Sequence, residues 1–121
     1  MSGLRRIMTI ECHPTLGEGL AALIGSQPDM ALVGTATNLA EARSRFAQIK
    51  PDLALVDVDM PQDAGLKIIR EILAEDPNTR IIALITYEWD ELASAALKAG
   101  AQALLPKDRI SERLLSMIRE R

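Results

Sequence analysis

The chain has 121 residues, a formal net charge of −3, 48% apolar and 26% charged residues, which suits one compact domain spanning 1–121. That balance supplies no electrostatic footprint for nucleic acid or an anionic membrane, and Phe46, Tyr87 and Trp89 are too few for a base-stacking platform. A single cysteine excludes an internal disulfide and fits a reducing cytoplasm; no apolar run approaches the roughly 20 residues of a membrane span, and "MSGLRRIMTIE" lacks the pattern of a signal peptide.

In chain order, the first strand is expected at "RIMTI" (6–10), followed by a helix with Leu16, Leu20, Leu23 and Ile24 on one stripe. "MALVG" (30–34) is the second strand. Leu39, Ala42, Phe46 and Ile49 mark the next helix, with Asn38 and Glu41 at its N-terminus as a cap. "LALVDV" (53–58) is the third strand, and Leu66, Ile69 and Leu73 mark the third helix. "IIALI" (81–85) is the fourth strand; Leu92, Ala96 and Ala99 mark a helix that Gly100 stops. "QALL" (102–105) is the fifth strand, and Leu114, Leu115 and Ile118 mark a last helix with Ser111 as its cap. The strands are nearly continuous apolar runs, as in a sheet covered on both faces. Five such strand–helix units predict an α/β fold with a parallel sheet and right-handed crossovers.

Open sheets of this class bind ligands beyond the C-terminal ends of their strands. Glu11, Cys12 and His13 fall there after the first strand, Asp57 and Asp59 after the third, Thr86 and Tyr87 after the fourth, and Lys107 after the fifth. Asp57 ends a strand whose other members are apolar. A carboxylate so placed loses its solvation unless a cation answers it, and Lys107 is the residue to do so. For either residue alone, a helix-capping acid and a solvated surface lysine are equally good readings. Both at matching strand ends make a site.

These residues resemble the receiver domain of two-component response regulators. "LALVDVDMPQDAG" (53–65) is similar to the family's phosphoacceptor strand and loop, with Asp57 at the phosphorylated position, then Met60-Pro61 and Gly65. "LKAGAQALLPKD" (97–108) is similar to its fourth-helix end and fifth strand, with Lys107 at the phosphate-pairing lysine. The "HP" after strand 1, "EGL" at 18–20 and the Lys-Asp pair look most like receivers of LuxR-type (NarL/FixJ-like) transcription regulators. The resemblance implies a flavodoxin-like (βα)5 doubly wound sandwich of strand order 2-1-3-4-5. It implies phosphoryl transfer from a sensor histidine kinase to Asp57, with Mg²⁺ and Lys107 meeting the charge. It further implies a homodimer or output surface on the fourth helix, fifth strand and fifth helix. DNA binding would belong only to an output domain not in this chain, these residues then being the N-terminal part of a longer transcription regulator.

Three positions depart from the family pattern. Cys12 replaces the second of two acids after strand 1, and sulfur is a poor Mg²⁺ ligand. The metal site expected from Glu11, Asp57 and Asp59 is therefore weakened or lost. A zinc or nickel site on Glu11, Cys12 and His13 is disfavoured because neighbours on an extended chain point to opposite sides. A gapless count from Gly100 puts Ile85 at the family's switch hydroxyl; a one-residue slip would put Thr86 there but would turn a side chain to the other face of the strand. Leu104 stands three residues before Lys107, where the family commonly has an aromatic ring. Asp59 and the Tyr87 hydroxyl are candidates to compensate, Pro106 to re-aim Lys107, and Trp89 to contact a partner.

The expected function is thus an atypical phosphoacceptor, not an enzyme beyond its own phosphorylation and dephosphorylation. One alternative is a degenerate receiver acting as an interaction module without phosphate. Another is a small haloacid-dehalogenase-type phosphatase using "DVD", but two strand–helix units precede that motif and no second acidic pair follows.

Overall fold

Strands and helices alternate along the computed structural model, which describes residues 3–120; Met1, Ser2 and Arg121, the ends of the expected 1–121 domain, lie outside the described residues. The elements are β1 (Arg5–Ile10), α1 (Pro14–Gly25), β2 (Met30–Ala36), α2 (Leu39–Ile49), β3 (Leu53–Asp57), α3 (Ala64–Glu75), β4 (Arg80–Ile85), α4 (Glu91–Ala99), β5 (Ala103–Pro106) and α5 (Ile110–Arg119). Short 3-10 turns at Pro61–Asp63 and Lys107–Arg109 follow β3 and β5. All strand pairs are parallel and the order is β2-β1-β3-β4-β5, the flavodoxin-like arrangement.

The pleat sends alternate residues to two cores. Ala54 and Val56 of β3 and Ile81, Ala83 and Ile85 of β4 pack with Phe46 of α2, Ile69 of α3 and Ala96 of α4. Leu53, Leu55, Ile82, Leu84 and Leu105 pack with Leu20 and Ile24 of α1 and Leu114 and Ile118 of α5. Three helices therefore cover one face and two the other, which is why β3 and β4 read as unbroken apolar runs.

Local signals account for most boundaries. Asn38 caps α2 by accepting from the Glu41 N–H at 2.9 Å, and Gly100 ends α4 at φ 118°, a conformation open to glycine. Two expectations are corrected. Arg109, not Ser111, flanks the start of α5 and makes no side-chain cap there; Ser111 already lies in the first turn. β5 runs on through Pro106, tolerated because β5 is an edge strand.

Candidate functional site

Continuing the β3 alternation past Leu53 and Leu55 carries Asp57 toward the α1/α5 side. Its side chain is fully buried. Oδ1 accepts from the Asp59 backbone N–H at 2.8 Å and lies 2.9 Å from Lys107 Nζ. Pro106 does not turn the lysine away. The ammonium enters from the 3-10 turn after β5 and is itself largely buried, so this is a desolvated charge pair rather than a surface contact. Oδ2 is buried and has no hydrogen-bond partner among the described residues. His13 Nε2 lies 3.9 Å from it.

The acids and thiol after β1 part company. Glu11 is buried; its Oε2 accepts from the His13 N–H at 2.6 Å. Its Oε1 fills the place where a Cβ on Gly17 would stand, 2.2 Å from that position. Glu11 therefore sits under the first turn of α1, where the N–H groups favour an anion. Cys12 turns the other way, packing against the α2–α3–α4 core and lining a small cavity with Met60, Gln62 and Lys67. Asp59 is exposed, and its Oδ2 is 3.4 Å from Thr86 Oγ1. Glu11, Asp57 and Asp59 thus do not form a three-ligand cluster: no group of three His, Cys, Asp or Glu side chains that could hold a metal ion occurs among the described residues. The same holds for Glu11, Cys12 and His13.

At the end of β4 the strand's last residue is Ile85, 1% exposed, packed in the α2–α3–α4 core. Leu104 pairs with Ala83 and packs on that same cluster. Thr86 lies beyond the strand, exposed. The Tyr87 ring is stacked on Trp89 in the connection to α4.

Two features were not evident from residue types alone. His13 closes over the free oxygen of Asp57 because Pro14 starts α1 at once, so position 13 flanks the helix rather than trailing off in a loop. Gly65 is required by close approach: a Cβ there would stand 2.4 Å from the Asp57 carbonyl oxygen and 2.8 Å from Val58 Cα. The first turn of α3 rests directly on the end of β3, and this glycine sets where Asp57 is held.

The family model described as response regulator receiver domain matches residues 7–119. The chain is 33% identical over 103 residues to the DNA-binding transcriptional activator DevR/DosR of Mycobacterium tuberculosis, covering 85% of this chain and 48% of that protein. It is 32% identical over 114 residues to the nitrate/nitrite response regulator protein NarL of Escherichia coli, covering 94% and 53%. The chain spans about half the length of the curated relatives it matches. Among solved structures, the response regulator domain of Thermotoga maritima CheB matches with a TM-score of 0.86 at 27% identity, over 96% of this chain and 94% of that one. A LuxR-family two-component response regulator from Aurantimonas matches with a TM-score of 0.82 at 25% identity, over 97% and 86%.

Proposed function

The chain belongs to the receiver domain family of two-component response regulators, with LuxR-type regulators among its relatives, and from that premise we propose that Asp57 is a phosphoacceptor served by a sensor histidine kinase. The observation that carries this reading is the divided carboxylate. One oxygen is held by Lys107 and the Asp59 N–H, while the other is buried with no hydrogen-bond partner among the described residues. A buried oxygen without a donor is costly, and such exceptions point to a missing reactant or ion.

In the proposed step, Asp57 Oδ2 attacks the phosphorus of a kinase phosphohistidine. The new O–P bond forms as the P–N bond breaks, and the imidazole leaves with the electron pair and takes a proton. Negative charge spreads over the phosphoryl oxygens, where the Lys107 ammonium is already in place. The backbone N–H of Asp59 keeps the carboxylate oriented throughout.

Mg²⁺ fits these residues as a sparse site. The Asp57 and Glu11 carboxylates would hold it, because Mg²⁺ is commonly bound by one or two carboxylates plus phosphate oxygens. Bound there, it would add positive charge against the phosphoryl group. Cys12 contributes no hard oxygen, and Asp59, the third acid expected, faces Thr86, so the ion would be held weakly.

Output is assigned to the face formed by α4, β5 and α5, by population shift, through a dimer or an attached domain. DNA binding belongs to an output domain outside these residues. No turnover of a separate substrate is assigned to the chain, and its place is the cytoplasm; no described helix is long and apolar enough to cross a membrane. A second reading, a phosphate-independent interaction module, is favoured by one observation: Cys12, Ile85 and Leu104 all pack on the apolar cluster where the family carries polar or aromatic switch groups. Intact mass after incubation with acetyl phosphate and Mg²⁺ separates the two. One added phosphoryl group, absent in Asp57→Asn, supports the phosphoacceptor. No gain in wild type, while the protein remains folded, leaves the interaction module.

A further inference from the structure

The Tyr87 and Trp89 rings lie outside the chemistry above. Their centroids are 5.1 Å apart and their planes 26° from parallel, a stacked pair. Trp89 is 83% exposed and Tyr87 52%, and neither belongs to a core cluster. The connection that bears them is anchored at both ends. Ile85 is buried at its start, and Asp90 at its end accepts from the Leu92 N–H at 3.1 Å and caps α4. Stacking uses one face of each ring, so the outer face is left to water on a shelf that the fold does not need.

The charge around this shelf is predominantly negative. "YEWDE" (87–91) sets Glu88, Asp90 and Glu91 beside the rings. Across a cleft of about 290 Å³ stands Asp108. Arg109, the cation on that lining, is already paired with Glu112 at 3.2 Å. An aromatic face rimmed by carboxylates is complementary to a guanidinium or ammonium group, which the ring attracts by its quadrupole and the acids by their charge. A nucleic acid would be repelled. A second copy placed here by a two-fold axis would bring the same acids face to face.

We propose that the Tyr87–Trp89 shelf docks an arginine-bearing segment of a partner protein, the guanidinium lying on the free ring face and the flanking acids fixing its register. Exposed tryptophan and tyrosine are the residues that most often anchor such contacts. The inference needs nothing from Asp57 and stands apart from the phosphoacceptor reading.

Trp89 is the only tryptophan in the chain, so its fluorescence reads the shelf directly. The probe is a synthetic peptide of alternating arginine and glycine, with a glutamate–glycine peptide of equal length as control. The expected result is a saturable change in Trp89 emission with the arginine peptide and none with the control. Anisotropy of the labelled arginine peptide should show Tyr87→Ala and Glu88→Gln/Glu91→Gln each binding roughly two- to fivefold more weakly, and Trp89→Ala weaker by at least as much. Each side chain changed is exposed, and circular dichroism verifies the fold. A linear, unsaturable response, or ring variants that bind like wild type, overturns the proposal. So does a concentration-dependent dimer in sedimentation whose dissociation alone accounts for the change in Trp89 emission, since a second copy is then the occupant.

Discussion

At the end of β3, Asp57 is fully buried and Lys107 answers it at 2.9 Å; one strand over, the end of β4 is closed by Ile85, equally buried, beside a Leu104 that packs on the same apolar cluster. The first corner tolerates an expensive buried charge because a cation and a backbone N–H are already aimed at it. The second is packed with apolar side chains, and the first hydroxyl beyond it, on Thr86, lies 3.4 Å from Asp59 Oδ2. The charged site at the edge of the sheet and the apolar packing beside it are therefore separable parts, and in our proposal this chain keeps the chemistry of the first while the second lacks the family's switch groups.

The most disruptive way to break the comparison is to remove the cation. Lys107→Ala strands a buried carboxylate and should cost about 3 kcal/mol of stability in urea unfolding, whereas Asp57→Asn/Lys107→Met, which removes both charges, should recover most of that loss. If the single variant unfolds like wild type, the pair is not a desolvated one.

Gly65→Ala should come next, at about 2 kcal/mol, because its Cβ meets the Asp57 carbonyl oxygen and α3 must move off β3. The same variant should slow phosphoryl uptake, since the backbone that aims Asp57 shifts with it.

The β4 corner is sharpened by Ile85→Thr. A hydroxyl buried without an assured partner should lower stability by about 1–2 kcal/mol. Paired with Leu104→Tyr, however, it should enlarge the amide shifts that a phosphoryl mimic induces in α4. Shifts no larger than in wild type would mean that transmission does not run through these positions.

The smallest effect lies at the periphery. Hydrogen bonding from Arg43 holds the Glu71 carboxyl below its ordinary 4.5, and Arg119 holds Asp29 below its ordinary 3.8. A folded-state value lower than the unfolded one stabilises above the unfolded value and is lost as pH falls through the folded one. Urea midpoints should therefore decline as pH drops below these carboxylate values, and added salt should shrink the decline because both pairs are exposed.

The sequence carries the fold well because each level agrees with the next. Unbroken apolar strands require cover on both faces, and the stripes of α1 to α5 supply it. Asp57 and Lys107 are equally legible, being polar groups at the ends of apolar strands, where burial of a charge without a cation or donor is costly. The other donors are less so, since residue type does not say which way a loop side chain turns. Glu11 turns under α1 because Gly17 leaves room for it, and Cys12 turns into the core. Asp59 offers the site its backbone N–H rather than its carboxylate. The closeness of His13 to Asp57 depends on where α1 starts, and Ser111 failed as a cap because α5 starts one residue before it.

The most direct measurement of the central claim is a fluorine NMR titration with beryllofluoride, which occupies the place of a phosphoryl group on an aspartate oxygen. A single saturable bound resonance, present in wild type, lost in Asp57→Asn and weakened in Lys107→Ala, is the predicted result. No bound resonance on the folded wild-type chain, or one that survives Asp57→Asn, contradicts it.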